Sequence, residues 1–262
     1  MSSEFSCKFK EGGEISPQII KNLNIEFDKI YATKENIINL SKAIKEDNNS
    51  KTFVLPFCHT IEAKSMGADI KPADDVAGPR PGSYVYKTLD DVKKISVLED
   101  LDTQRLLSAC KDLKAQGHHV SFMVTGPISI LSNLMDLTIV FKTWRKQPEK
   151  IQEVFDTISD ILLEFVQEIS KSGADLISFA DPAGNPDILG AKYNTALTDM
   201  FLFPFLKKAI SACEENTVLC VCPLAAANLS KQGLLTKADE NEANIACACI
   251  KSSALPMTRL KI

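Results

Sequence analysis

Short apolar runs alternate with amphipathic helical stretches along most of this chain, and that alternation constrains the fold more than any other feature. The runs are Phe53-Val54-Leu55-Pro56-Phe57, Val120-Ser121-Phe122-Met123-Val124, Leu176-Ile177-Ser178-Phe179-Ala180, Thr217-Val218-Leu219-Cys220-Val221-Cys222, and a last one over 244–250. Their continuous apolar character is that of strands buried on both faces, as in a parallel sheet. The clearest helix is predicted over 148–171, where Ile151, Val154, Phe155, Ile158, Ile161, Leu162, Phe165, Val166 and Ile169 recur at the 3.6 period and Gly173 follows as a stop. Further helices are predicted over 34–45, 102–116, 128–135, 198–213 and 224–231. Strand-then-helix repetition builds β/α units. For 262 residues without repeat or linker, a single (β/α)8 barrel of the TIM type is expected, a fold of about 250 residues. An open doubly wound sheet is the rival, but no Gly-x-Gly-x-x-Gly or Gly-Lys-Ser/Thr loop follows any run. Residues 1–50 are expected to form an N-terminal helical extension and residues 51–262 the barrel.

Composition narrows the function. The net charge is −4, so no basic field draws nucleic acid or anionic lipid. No stretch approaches the roughly 18 apolar residues of a membrane span. The polar start, MSSEFSCKFKEGGE, has no signal-peptide core, and a cytoplasmic location is expected. The eight cysteines then read as thiols rather than disulfides. Cys7, Cys110 and Cys213 are expected to be packing or surface residues.

In a barrel, chemistry gathers where strands end. The exits supply Cys58, His59, Asp181, Cys220, Cys222 and Cys249. Alternation turns Cys220 and Cys222 to one side of their strand. A third thiol from the last strand, Cys249 or Cys247, would complete the three protein ligands of a catalytic zinc, leaving a fourth position for substrate. His59 reads as a site residue or a cap, with Glu62 one turn further on. Asp181 reads as a carboxylate for substrate orientation or proton transfer, or as a cap. His118 and His119 precede their strand, which places them at the opposite end.

Several motifs carry a family resemblance. Pro56-Phe57-Cys58-His59-Thr60-Ile61-Glu62-Ala63 with Gly67-Ala68, Val124-Thr125-Gly126-Pro127, Gly173-Ala174-Asp175 with Asp181-Pro182, and Phe203-Pro204-Phe205-Leu206-Lys207-Lys208 resemble, in order and spacing, the uroporphyrinogen decarboxylase superfamily. The branch they resemble takes a methyl group from a methylated corrinoid protein. His59, Glu62 and Asp181 are the candidate catalytic residues from the strand-exit reading. The resemblance implies a zinc-dependent methyltransferase with Cys220, Cys222 and Cys249 as metal ligands. It implies a corrinoid (methylcobamide) protein as partner, and a thiol like coenzyme M, or tetrahydrofolate, as acceptor. Two departures stand out: Cys220 occupies a position that is usually His, and the stretch from Cys222 to Cys249 is short, which points to a reduced C-terminal β/α unit. A tetrapyrrole decarboxylase is the alternative within the fold. Residues 1–52 contain no Arg, although a substrate bearing many carboxylates needs several arginine forks. A non-catalytic corrinoid-protein-binding module is the third reading.

Overall fold

A computed structural model describes residues 17–74, 78–237, 243–248 and 257–261. Helix α1 (Pro17–Asn22) and helix α2 (Lys34–Asp47) lead into β1 (Phe53–Leu55) and the short helix α3 (Ile61–Ser65). A small antiparallel pair, β2 (Ile70–Lys71) and β3 (Arg80–Pro81), precedes helix α4 (Leu101–Ala115) and β4 (Val120–Thr125). Helices α5 (Pro127–Leu134), α6 (Leu137–Lys146) and α7 (Pro148–Lys171) separate β4 from β5 (Leu176–Ala180). Helices α8 (Pro186–Leu197) and α9 (Phe203–Ala212), joined by a π-helical turn over Thr198–Leu202, lead to β6 (Val218–Val221) and α10 (Pro223–Lys231). The strands β7 (Leu235–Thr236), β8 (Ile245–Cys247) and β9 (Met257–Leu260) follow.

The main sheet runs β1-β4-β5-β6-β8-β9-β7. The first five strands are parallel and lie in chain order. A doubly wound sheet reverses its order partway. An unbroken order, with crossovers of one hand, lays every connecting helix on one side, which is the wall of a barrel. The departure comes at the end, where β9 runs antiparallel to both β8 and β7. Among the described residues the ring is not closed, in keeping with the reduced last unit.

Burial separates the two faces. Phe122 and Val124, Ile177 and Phe179, Leu219 and Val221, and Ile245 and Cys247 join the large core formed with the helices. Alternation sends Ser121, Met123, Thr125, Ser178, Ala180, Cys220, Ala246 and Ala248 to the other, inner face. A separate cluster forms there from Leu176, Cys220, Ala246 and Ala248. The N-terminal segment clasps β1: Ser41 Oγ donates to Val54 O at 3.1 Å, and Phe57 N donates to Tyr31 Oη at 3.0 Å.

Helix ends obey local chemistry. Pro127 and Pro148 stand in first turns, and Gly173 takes φ +91° just past α7, a left-handed stop that costs glycine little. Trp144 is buried against Phe155, a core residue.

Candidate active site

Strand register defines a row across the mouth of the sheet. Thr125 of β4 pairs with Ala180 of β5. Cys222 N donates to Phe179 O at 2.9 Å, which carries the β5–β6 register on and sets Cys222 opposite Ala180. Val221 pairs with Cys247, so Ala248 is next in the row. Thr125, Ala180, Cys222 and Ala248 thus share one level and one face. One level deeper lie Met123, Ser178, Cys220 and Ala246.

Around Thr125 the segment after β1 folds back. Leu55 pairs with Phe122, so β1 ends three residues short of Thr125. Glu62, in the first turn of α3, supplies the missing acceptor: Thr125 N donates to Glu62 Oε1 at 2.7 Å. Glu62 is 1% exposed, and burial raises its pKa, offset in part by hydrogen bonds from the Thr125 N–H and side chain. Among the described residues its Oε2 has no hydrogen-bond partner. His59 Nδ1 lies 3.3 Å from Thr125 Oγ1. Burial lowers the His59 pKa to about 4, which keeps the imidazole neutral at ordinary pH. Thr125 had been read only as part of an exit motif; it is the residue that joins the two.

Cys58, next to His59, has a structural setting. Its Sγ lies 3.3 Å from Tyr31 Oη and 3.1 Å from Thr60 Oγ1, and burial raises its pKa. A buried neutral thiol is a poor nucleophile.

Asp181, at the β5 exit, is bound to the neighbouring unit. Ser129 N and Ser129 Oγ donate to its Oδ1 at 2.8 and 2.7 Å, and Ile128 N donates to Oδ2 at 3.1 Å. It therefore caps α5 from another strand, satisfying N–H groups that the helix leaves open. Ser129 Oγ in turn accepts from Ala183 N at 2.9 Å. The approach is close enough to need glycine on both sides. A Cβ on Gly126 would lie 2.5 Å from Asp181 Cβ, and one on Gly184 2.6 Å from Asp181 Oδ2. Burial raises the Asp181 pKa against these donors.

The thiols divide between faces. Cys220 is fully buried on the inner face, and its Sγ donates to Ala248 O at 3.4 Å. Cys222 stands at the N-cap position of α10, without a side-chain capping bond, and is partly buried. Cys247 belongs to the helix-covered core, and burial pushes its pKa up to about 12, so it is set apart from the Cys222 row. The strand ends there, with Ala248 in a bend. Cys249 lies outside the described residues. Among those described, no three His, Cys, Asp or Glu side chains gather around one point. The donor chemistry of Cys220 and Cys222 suits zinc, and the sulfur of Cys220 touches the peptide that precedes Cys249.

At the opposite end of the strands, His119 Nδ1 and Lys114 Nζ meet Asp175 Oδ1 at 3.2 and 2.6 Å. Asp175 Oδ2 accepts from Val120 N at 2.8 Å, a structural junction. No helix among the described residues is long and apolar enough to cross a membrane.

Known proteins bear on this geometry. The profile of the uroporphyrinogen decarboxylase (URO-D) family matches residues 18–225. The chain is 23% identical over 229 residues to the methylcobamide:CoM methyltransferase MtaA of Methanosarcina barkeri, covering 86% of this chain and 66% of that relative. It is 24% identical over 200 residues to the methylcobamide:CoM methyltransferase MtbA of Methanosarcina acetivorans, covering 73% and 58%. A solved methyltransferase from Methanosarcina mazei shares the fold, with a TM-score of 0.69 at 21% identity over 82% of this chain and 64% of that one. The chain thus spans a little under two thirds of the length of the relatives it matches.

Proposed function

The chain belongs to the uroporphyrinogen decarboxylase family, and from that premise we propose that it transfers a methyl group from a methylated corrinoid protein to a small thiol of the coenzyme M type, or to tetrahydrofolate. What supports the reading is similarity to two methylcobamide:CoM methyltransferases over 73–86% of the chain, together with the inner-face row that includes Cys222. In this reading residues 51–262 form the catalytic barrel and residues 1–50 an extension that buttresses β1.

Cys220, Cys222 and Cys249 are the proposed zinc ligands: Cys220 in β6, Cys222 just past its end on the next level, and Cys249 two residues after β8 in the sequence. A zinc ion held there supplies the Lewis acidity that lowers the pKa of a bound acceptor. The Cys220 thiol donates to the Ala248 carbonyl, which ties the residue after β8 to β6. Asp181 fixes the start of α5 and so shapes the β4–β5 rim; the proposed role is positioning. His59 and Glu62 line the β1–β4 side.

The carrying observation is that Cys220 and Cys222 share the inner face while Cys247 does not. The test is metal analysis of the purified chain with a methyl-transfer assay, using methylcobalamin as donor and 2-mercaptoethanesulfonate as acceptor. One zinc per chain is expected, lost with Cys222→Ala, together with transfer activity that falls with it. A metal-free chain that decarboxylates a porphyrinogen would reverse the proposal. A second reading, a non-catalytic corrinoid-protein-binding module, draws on the antiparallel β9 that replaces further β/α units. Corrinoid-protein binding without methyl transfer would favour it.

A further inference from the structure

The segment that leaves β1 carries Cys58, His59 and Glu62, and the N-terminal extension grips it on both flanks of His59. Phe57 N donates to Tyr31 Oη at 3.0 Å, and the same hydroxyl lies 3.3 Å from Cys58 Sγ. Cys58 Sγ in turn lies 3.1 Å from Thr60 Oγ1. Cys58 and Thr60 are both buried, so one hydroxyl of the extension, acting through one sulfur, ties down the residues before and after His59. The Tyr31 ring stacks on Phe57 with centroids 5.8 Å apart. Its backbone is anchored as well: Arg105 donates to the Tyr31 carbonyl at 3.3 Å and to Asp102 Oδ1 at 3.0 Å. Asp102 also pairs with Lys64 of α3, the helix into which the segment runs. Cys58 and Glu62 are buried, whereas His59 keeps part of its surface, so of these three it is the one placed to meet a bound molecule. Its Nδ1 lies 3.3 Å from Thr125 Oγ1, which sets the ring on the β1–β4 side of the mouth.

We propose that Tyr31, a residue of the N-terminal extension, is a positioning residue that sets His59 at the rim of the site. Its consequence for turnover rests on the methyl-transfer reading above; the positioning itself does not. A segment outside helix and strand must satisfy its backbone groups through side chains, and here a backbone N–H and a thiol converge on one hydroxyl. Without that hydroxyl Phe57 N loses its acceptor, and the segment shifts to find another. A displacement of 1 Å in a group that contacts substrate is worth about 100-fold in rate, so a tyrosine outside the site sets how well the site works. The extension is then part of the machinery and more than a brace for β1.

The test is Tyr31→Phe, which keeps the ring on Phe57 and removes only the hydroxyl. The chain has three histidines, and His118 and His119 stand at the opposite end of the strands, against Phe53 and Asp175. NMR of the histidine-labelled chain therefore reads His59 beside two internal controls, with its signals assigned by their loss in His59→Asn. Tyr31→Phe should move the His59 imidazole signals and leave those of His118 and His119 in place. With methylcobalamin and 2-mercaptoethanesulfonate, kcat should fall about 10-fold, less than for a full 1 Å displacement because Thr60 still holds Cys58. Zinc content and thiol KM should stay unchanged. Cys58→Ala, which cuts the link between Tyr31 and Thr60, should move the same His59 signals, and Cys58→Ser, which keeps a hydrogen-bonding atom there, should restore them. His59 signals that stay in place in both Tyr31→Phe and Cys58→Ala overturn the positioning. Moved signals with full kcat, in a chain that transfers methyl groups, overturn the role in turnover. A wild-type chain without transfer overturns the methyl-transfer reading alone, since the His59 signals still decide the positioning. If Tyr31→Phe does not fold, the two Cys58 variants decide by themselves.

Discussion

Two carboxylates flank the exit of β4, Glu62 from the helix after β1 and Asp181 from the end of β5, both buried and both with raised pKa, and they do opposite things with their oxygens. Asp181 gives both oxygens to α5 and takes three donors. Glu62 gives one oxygen to β4 and leaves the other without a donor. A pKa shift caused by burial therefore does not by itself tell the two apart; the count of satisfied oxygens does. Asp181 joins two β/α units, whereas Glu62 patches a gap left where β1 ends early and retains capacity for one more proton.

The sharpest way to break this contrast is Gly126→Ala. Gly126 has ordinary extended backbone angles, φ −80° and ψ 170°, so the glycine is needed for space alone. The added Cβ would sit 2.5 Å from Asp181 Cβ, an atom that cannot rotate away. Overpacking of this kind costs about 3 kcal/mol, measured as a fall in unfolding free energy in urea. The cap would be pried from α5, so activity should fall in parallel with stability. Unchanged stability would show that Asp181 is not locked in place.

Next in size is Asp181→Asn. The amide keeps one acceptor but turns two donors toward N–H groups already facing it, leaving one of Ile128 N or Ser129 N unpaired. A loss of about 2 kcal/mol is expected. Gly184→Ala should cost less in an Asp181→Ala background than alone, because its clash is with Asp181 Oδ2; strict additivity would contradict the contact.

How much of this was legible in the sequence follows from how local each signal is. Helix α7 and strand β5 match their predicted bounds, because 24 residues of unbroken period and a Gly stop need no tertiary information. Helix α8 was not legible: the sequence predicts no helix between Gly184 and Thr198, and Gly190 breaks the interior of α8 with φ +69°. Strands of two residues, β2, β3 and β7, have no period to read. Asp181 was legible as a strand-exit carboxylate, but its partners lie more than 50 residues back, so the cap it makes could not be seen. Thr125 was hidden for the same reason, being 63 residues from Glu62. Cys247 and Cys249 could not be separated from spacing alone; register against Val221 assigns Cys247 to the helix-covered face.

His59 gives a smaller and graded effect on the Glu62 side. Its pKa of about 4 lies below the ordinary 6.5, so between those values the unfolded chain binds the extra proton. Stability from this group is complete above pH 6.5 and is lost as pH falls toward 4. The unfolding constant should change by about tenfold per pH unit from this residue. His59→Asn should flatten that part of the profile, measured by urea melts across the window. An unchanged slope would mean that the imidazole is already charged in the folded state.

The smallest effect is the most discriminating, because it should have the opposite sign to its counterpart at Asp181. Glu62→Gln preserves the oxygen that accepts Thr125 N and removes the capacity for charge. With a raised folded pKa, the wild-type carboxyl favours the fold most below its unfolded value and loses that advantage as pH rises through the folded pKa. The Gln variant has no such loss. It should match wild type in mild acid and exceed it increasingly as pH rises into the alkaline range. Asp181→Asn, the same kind of chemical change on the other side of β4, should destabilise across the whole range. If both substitutions shift stability in the same direction, the distinction between a carboxylate with both oxygens satisfied and one with a single oxygen satisfied fails.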